Sequence, residues 1–176
     1  MLPKLLDRYS FLDEKIDVSR MTWERMFKFM DTHPRDHLTN KSDIGSITLL
    51  KCNKRRSFPK IGGKDIIHEL EKMFPDANIS AHIFFGLTTE HSTFGIHRDV
   101  MSVLYLQILG TVNWGIYKPK NANSITDVLR PAHAKEVEKR LLQPGQMVWN
   151  PRGTFHHAEP NGTRMGISFG IEYDKK

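Results

Sequence analysis

The sequence predicts a mainly β fold, an antiparallel barrel or double-sheet jelly roll, behind a short helical start. Three observations carry this. After residue 78 the chain becomes a series of short runs rich in β-branched and aromatic residues. Gly and Pro turns separate those runs. Before residue 75, by contrast, apolar residues recur at helical spacing.

Taken in order, residues 21–30 read as a helix with Thr22 at its N-cap, its Met and Phe stripe serving as core packing. Residues 45–50 read as a short strand. Residues 64–74 form a second helix, with Ile66, Ile67, Leu70 and Phe74 on one side and Pro75 ending it. Strands follow at 79–87, 101–109 and 112–117, with Gly110 as the turn between the last two. Residues 118–131 carry several Asn and Pro and read as a loop. Residues 132–142 read as a short helix running into a strand. Gln143-Pro144-Gly145 is a turn before a strand at 146–149, and the last strand spans 163–173. This makes one domain over 1–176, with a helical part at 1–75 and a β core at 76–176.

At 176 residues the chain is long enough to bury a real core. No apolar run is long enough to span a membrane, and the first residues lack the apolar core of a secretory signal. Cys52 is alone, which excludes an intrachain disulfide and points to a reducing, cytoplasmic setting. The formal charge is +6 and the pI about 9.5. Much of the excess lies in Lys51, Lys54, Arg55, Arg56, Lys60 and Lys64. That run reads as a solvated basic loop. It leaves nucleic acid open as a partner but contains no nucleic-acid-binding motif.

Two distant segments carry the chemistry. One is Phe94-Gly95-Ile96-His97-Arg98-Asp99; the other is Asn150-Pro151-Arg152-Gly153-Thr154-Phe155-His156-His157. Residues two apart on a strand share a face, so His97 and Asp99 face one way and Arg98 the other. A distant His completes two imidazoles and one carboxylate. That set leaves the opposite face of a metal open, as in non-haem Fe(II) oxygenases, although Zn, Mn, Co and Ni also suit these donors. His156 and His157 compete for the third place, since neighbours on a strand face opposite ways. His33, His37, His68, His82, His91 and His133 lack such spacing and read as surface or core residues, with His91 the one to watch.

These segments resemble the cupin-type double-stranded β-helix of JmjC-like and related 2-oxoglutarate/Fe(II) oxygenases. The resemblance runs over residues 79–173. It includes Leu104-Tyr105-Leu106-Gln107-Ile108-Leu109-Gly110, Trp114-Gly115-Ile116-Tyr117-Lys118-Pro119, and the stretch from Leu142 to His156. It implies Fe(II) held by His97, Asp99 and His156, the last chosen for its spacing from Pro151-Arg152-Gly153. It also implies 2-oxoglutarate as co-substrate and hydroxylation of a protein side chain or a small amino-acid-like molecule. One departure matters. Many JmjC-like members have a Gly-x-Lys-x-Trp segment whose Lys holds the far carboxylate of 2-oxoglutarate. Here that segment is Gly110-Thr111-Val112-Asn113-Trp114. Prolyl- and phytanoyl-hydroxylase-like relatives instead carry an Arg shortly after the second His, which points to Arg164 as the replacement. Ser168 lies on the same strand face, although such relatives place a hydroxyl two residues after the Arg. Tyr105 shares a face with His97 by parity and is a further candidate hydrogen-bond donor. Residues 88–92 and 51–64 are candidate loops over the substrate side. Trp114, Trp149 and Phe155 read as barrel packing.

Two other readings keep the fold. A cupin metalloenzyme that does not use 2-oxoglutarate needs the triad but not Arg164, and Val112 supports it. A non-catalytic cupin binding module needs neither.

Overall fold

Alternation along the strands of the larger sheet turns one face to an apolar core under the helices and the other toward the smaller sheet. The computed structural model describes residues 7–32, 37–41, 44–49, 60–61, 63–87, 94–121 and 126–173, with backbone alone for 29–30, 32, 37–41 and 44–49. Among these lie β1 (Ser10–Leu12), α1 (Trp23–Thr32), β2 (His37–Lys41), β3 (Ile44–Leu49), α2 (Ile66–Met73), β4 (Asn78–Gly86) and β5 (Ile96–Arg98). There follow β6 (Ser102–Leu109), β7 (Val112–Pro119), β8 (Val128–Leu129), a 3-10 turn at Pro131–His133, β9 (Ala134–Leu142), β10 (Met147–Asn150), β11 (Phe155–Pro160) and β12 (Arg164–Glu172). Residues 51–59 of the basic run, the loop 88–92, His33 and His91 lie outside the described residues.

The strands form two antiparallel sheets, ordered β1-β10-β6-β12-β4-β3-β2 and β8-β5-β11-β7-β9. They pack face to face as a jelly roll, the mainly β fold with helices against it that the sequence predicts. Tyr105 of the larger sheet lies 4.3 Å, centroid to centroid, from Trp114 of the smaller. At the far end Tyr9 and Phe11 pack against a cluster of Val112, Trp114, Ile116, Leu142 and Val148.

The helices cover the outer face of the larger sheet. Thr22 caps α1 by accepting a hydrogen bond from the Arg25 amide at 3.2 Å. Asp65 caps α2, accepting from the His68 amide at 3.1 Å. Met26 of α1 and Ile66, Ile67 and Leu70 of α2 bury against Ile79, Ala81, Ile83, Leu104, Leu106, Ile167 and Phe169. Each large aliphatic or aromatic side chain placed there contributes about 1.5–3 kcal/mol. Phe74 stacks on Trp149 at 5.6 Å, so Trp149 is a packing residue of this outer layer.

The structure corrects two sequence expectations. The helical part at 1–75, expected to hold one strand, gives three to the larger sheet: β1, β2 and β3. Only β3 has a run of strand-forming residues long enough to be read locally. The stretch 118–131 is not all loop, since β8 pairs with β5 and sets Val128 opposite His97. A two-residue strand leaves no periodicity to detect.

Candidate metal centre

The two chemistry-bearing segments meet because their turns are tied together. β5 and β11 are paired, with His97 opposite His156. The turn before β11 is fastened to the chain after β5. The Gly153 amide donates to the Asp99 carbonyl at 3.1 Å, and the Arg152 amide donates to Ser102 Oγ at 3.1 Å.

This brings His97, Asp99 and His156 into one cluster whose ligand atoms all lie within 4.8 Å of one another. Asp99 Oδ1 is 3.7 Å from His97 Nε2, and Asp99 Oδ2 is 3.5 Å from His156 Nε2. Both rings are oriented the same way. His97 Nδ1 sits 3.0 Å from the Gly95 carbonyl, and His156 Nδ1 sits 2.9 Å from the Thr154 carbonyl. A carbonyl only accepts, so each Nδ1 carries the proton and each Nε2 presents its lone pair to the cluster. Outer hydrogen bonds fix the tautomer of metal-binding histidines in this way. His156 is buried; burial first, then the closeness of a second imidazole at His97, pulls its pKa from 6.5 down to about 4. It stays neutral, the form in which an imidazole can bind a metal. Trp114 backs it, stacked at 5.2 Å and 7°. Asp99 is 34% exposed and marks the open side.

The cluster opens on a cavity of about 630 Å³ lined by both sheets. Phe84, Phe94, Met101 and Val103 supply apolar wall; Arg164 and Ser168 supply polar groups from β12. Arg164 is 1% exposed, and its Nε has no hydrogen-bond partner, as is also true of Trp114 Nε1. Two buried donors without acceptors beside one cavity fit an anionic guest there. Val112, where a Lys would otherwise stand, is 0% exposed in the apolar cluster with Trp114.

The other candidates sort by face. His157 points away from the cluster, with Nδ1 3.5 Å from Glu159. On that outer face Glu159 also pairs with Lys139 and accepts from the Tyr117 hydroxyl at 3.5 Å. Its two acidic neighbours and, above all, burial push the Tyr117 pKa up to about 12. Phe155 also faces outward and packs with Ile96 and Leu129. Tyr105 does line the cavity, from the opposite sheet to His97. It is not a free donor: its hydroxyl donates to Gln107 Oε1 at 2.6 Å. Trp114 does more than pack, since it backs a cluster histidine. His82, a surface or core residue by its sequence, lines the cavity, with Nε2 3.0 Å from Ser80 Oγ. The signal for it was parity: Ser80, His82 and Phe84 alternate with Ile79, Ala81 and Ile83.

A family model for the JmjC domain matches residues 64–176, well over half of the chain. The chain belongs to the JmjC domain family. Among curated proteins it is 35% identical over 83 residues to mouse ribosomal oxygenase 2 and 34% identical over 84 residues to the rat protein. Those stretches cover 43% of this chain and only 16% and 17% of the relatives. Among solved structures it resembles Escherichia coli ycfD, with a TM-score of 0.53 and 17% identity over 82% of this chain and 37% of that one. The structure of YcfD described as a ribosomal oxygenase in complex with cobalt and 2-oxoglutarate gives a TM-score of 0.53 at 16% identity, over 82% of this chain and 36% of that one. At such identity these two likenesses speak for the fold. The JmjC match takes in β4 to β12 and every residue of the cluster and its cavity described above.

Proposed function

We propose that this JmjC chain is an Fe(II)- and 2-oxoglutarate-dependent dioxygenase that hydroxylates a protein side chain. The observation that carries it is the His97–Asp99–His156 cluster opening on the same cavity as the buried Arg164. The names of the relatives make a ribosomal component the leading substrate class. A small amino-acid-like molecule is the alternative. The lone Cys52 supports a reducing, cytoplasmic setting; among the described residues no helix is long and apolar enough to cross a membrane.

In this reading His97 and His156 hold the metal through Nε2 and Asp99 through its carboxylate. Fe(II) held there would supply oxygen activation, one atom of O2 passing to the 2-oxo acid as it loses CO2 to give succinate and the other being inserted into a C–H bond of the substrate. The chain supplies position and dryness. Arg164 receives the far carboxylate of the co-substrate through charge-assisted hydrogen bonds, with the Ser168 hydroxyl on the same face of β12. Trp114 holds the His156 ring, and Phe84, Phe94, Met101 and Val103 keep water from the reacting side. Asp99 lies at the exposed side, where substrate enters.

The test is turnover. Purified protein with Fe(II) and 2-oxoglutarate forms succinate in air, faster with ribosomal protein present, and the product gains one oxygen atom by mass spectrometry. His97→Ala abolishes both signals. Metal binding with no succinate under any condition would favour the second reading, a cupin metalloenzyme without 2-oxoglutarate. The specific observation behind that reading is Val112, sealed in apolar packing.

A further inference from the structure

A buried hydrogen-bond chain ends in the cavity wall beside Arg164. The chain begins at the turn after β6. The Gln107 side-chain amide, 0% exposed, donates to the carbonyls of Leu109 at 2.8 Å and Gly110 at 3.1 Å. Both amide hydrogens are therefore used, and a flipped amide would set its oxygen against two carbonyl oxygens. Gln107 Oε1 is left as an acceptor for the Tyr105 hydroxyl. That hydroxyl has one proton and spends it there. Its lone pairs remain free, and the hydroxyl sits over Gly166, two residues along the same face of β12 from Arg164, in the wall of the same cavity.

Glycine makes room for this. Gly166 lies opposite Gln107 in register and two residues beyond Arg164, hence on the same strand face. A Cβ at Gly166 would overlap the Tyr105 hydroxyl. The Tyr105 hydroxyl thus occupies the place that a side chain at 166 would take. Gly110 is fixed too: its φ is +67°, and a Cβ there would overlap the Thr163 carbonyl, next to Arg164.

We propose that Tyr105 and Gln107 are positioning residues for 2-oxo-diacid binding. They hold Arg164 through the space that Gly166 leaves open, and they are not themselves donors to the guest. This rests on the reading of Arg164 as the co-substrate anchor. It explains why a tyrosine in the cavity wall carries no free proton, and why β12 has glycine two residues after its arginine.

The experiment is calorimetric titration of 2-oxoglutarate into Mn(II)-loaded protein, with Mn(II) affinity and melting temperature measured for each variant. Tyr105→Phe and Gln107→Met are expected to weaken 2-oxoglutarate about tenfold, as for one hydrogen bond to a charged group, with Mn(II) affinity unchanged. Gly166→Ser alone weakens it as well, by displacing Tyr105. Combining Gly166→Ser with Tyr105→Leu returns a hydroxyl to the same space from β12 and recovers affinity relative to either single variant. Wild-type affinity in folded Tyr105→Phe and Gln107→Met would overturn the proposal, leaving Gln107 a turn-pinning residue. A double variant no better than its parents would also overturn it. Arg164→Met separates the levels: wild-type affinity there would overturn the anchor reading itself, whereas loss there with intact Tyr105→Phe would overturn only the positioning role.

Discussion

Along β4, Ile79, Ala81 and Ile83 enter the helix-covered core, while Ser80, His82 and Phe84 turn toward the opposite sheet. β12 repeats the division: Met165, Ile167 and Phe169 go outward, and Arg164 and Ser168 line the cavity. The same strands therefore build two layers with different tasks. The outer layer is dry and apolar and carries stability. The inner layer keeps buried donors that the protein alone does not satisfy, at a cost to stability, and that cost has meaning only if something binds there. Ligand affinity and folding free energy should thus separate by residue parity.

The largest break of that comparison is on the ligand side. His97→Ala should lower Fe(II) affinity by more than about 100-fold, since loss of even an outer partner of a metal ligand costs 10–100-fold. The melting temperature of the metal-free protein should barely move. Arg164→Met comes next. It should weaken 2-oxoglutarate about 100-fold, as for two charge-assisted hydrogen bonds, while the ligand-free protein is as stable or more so because a buried charge is gone. Ile83→Ala is the mirror case. It should cost about 2–4 kcal/mol in denaturant unfolding and leave the 2-oxoglutarate and metal affinities of the folded protein unchanged.

A smaller effect sharpens the inner layer through pH. The unfolded chain takes up a proton at His156 near pH 6.5, whereas the native protein resists until about 4. The unfolded state then binds more protons, so this stabilisation is complete above pH 6.5 and is lost as pH falls toward 4. His82 and His157, also lowered mainly by burial, act in the same direction. Unfolding of the metal-free protein followed between pH 7 and 4 should show this decline, and His156→Gln should flatten it. The smallest effect belongs to the solvent side of β9. Val137→Thr, at a position 45% exposed, should shift stability by no more than about 0.5 kcal/mol and leave binding untouched.

What the sequence disclosed follows the same physics. The strands β3, β4, β6, β7, β10 and β12, both helices and the Thr22 cap were legible because periodicity and capping are local. The cluster was legible because His-x-Asp fixes two donors by strand parity, and the family pattern supplied the third at His156. β1, β5 and β8 were not, because two or three residues carry no period, and β2 and β11 were not, because their polar and histidine-rich runs carry no apolar alternation. His82 and the Gln107–Tyr105 bond were hidden for a different reason. Which polar residue on an inner face meets which partner depends on register between strands distant in sequence, such as Gly166 opposite Gln107. Trp114 was read as packing for the same reason: its contact with His156 crosses from β7 to β11.

The most direct test of the account is an oxygen-free titration of 2-oxoglutarate into the Fe(II)-loaded protein, followed by visible absorption. The account predicts a weak metal-to-ligand charge-transfer band that saturates in the wild type, vanishes in His97→Ala and requires far more 2-oxoglutarate in Arg164→Met. Stoichiometric Fe(II) binding with no band at any 2-oxoglutarate concentration, or a band indifferent to Arg164→Met, would contradict it.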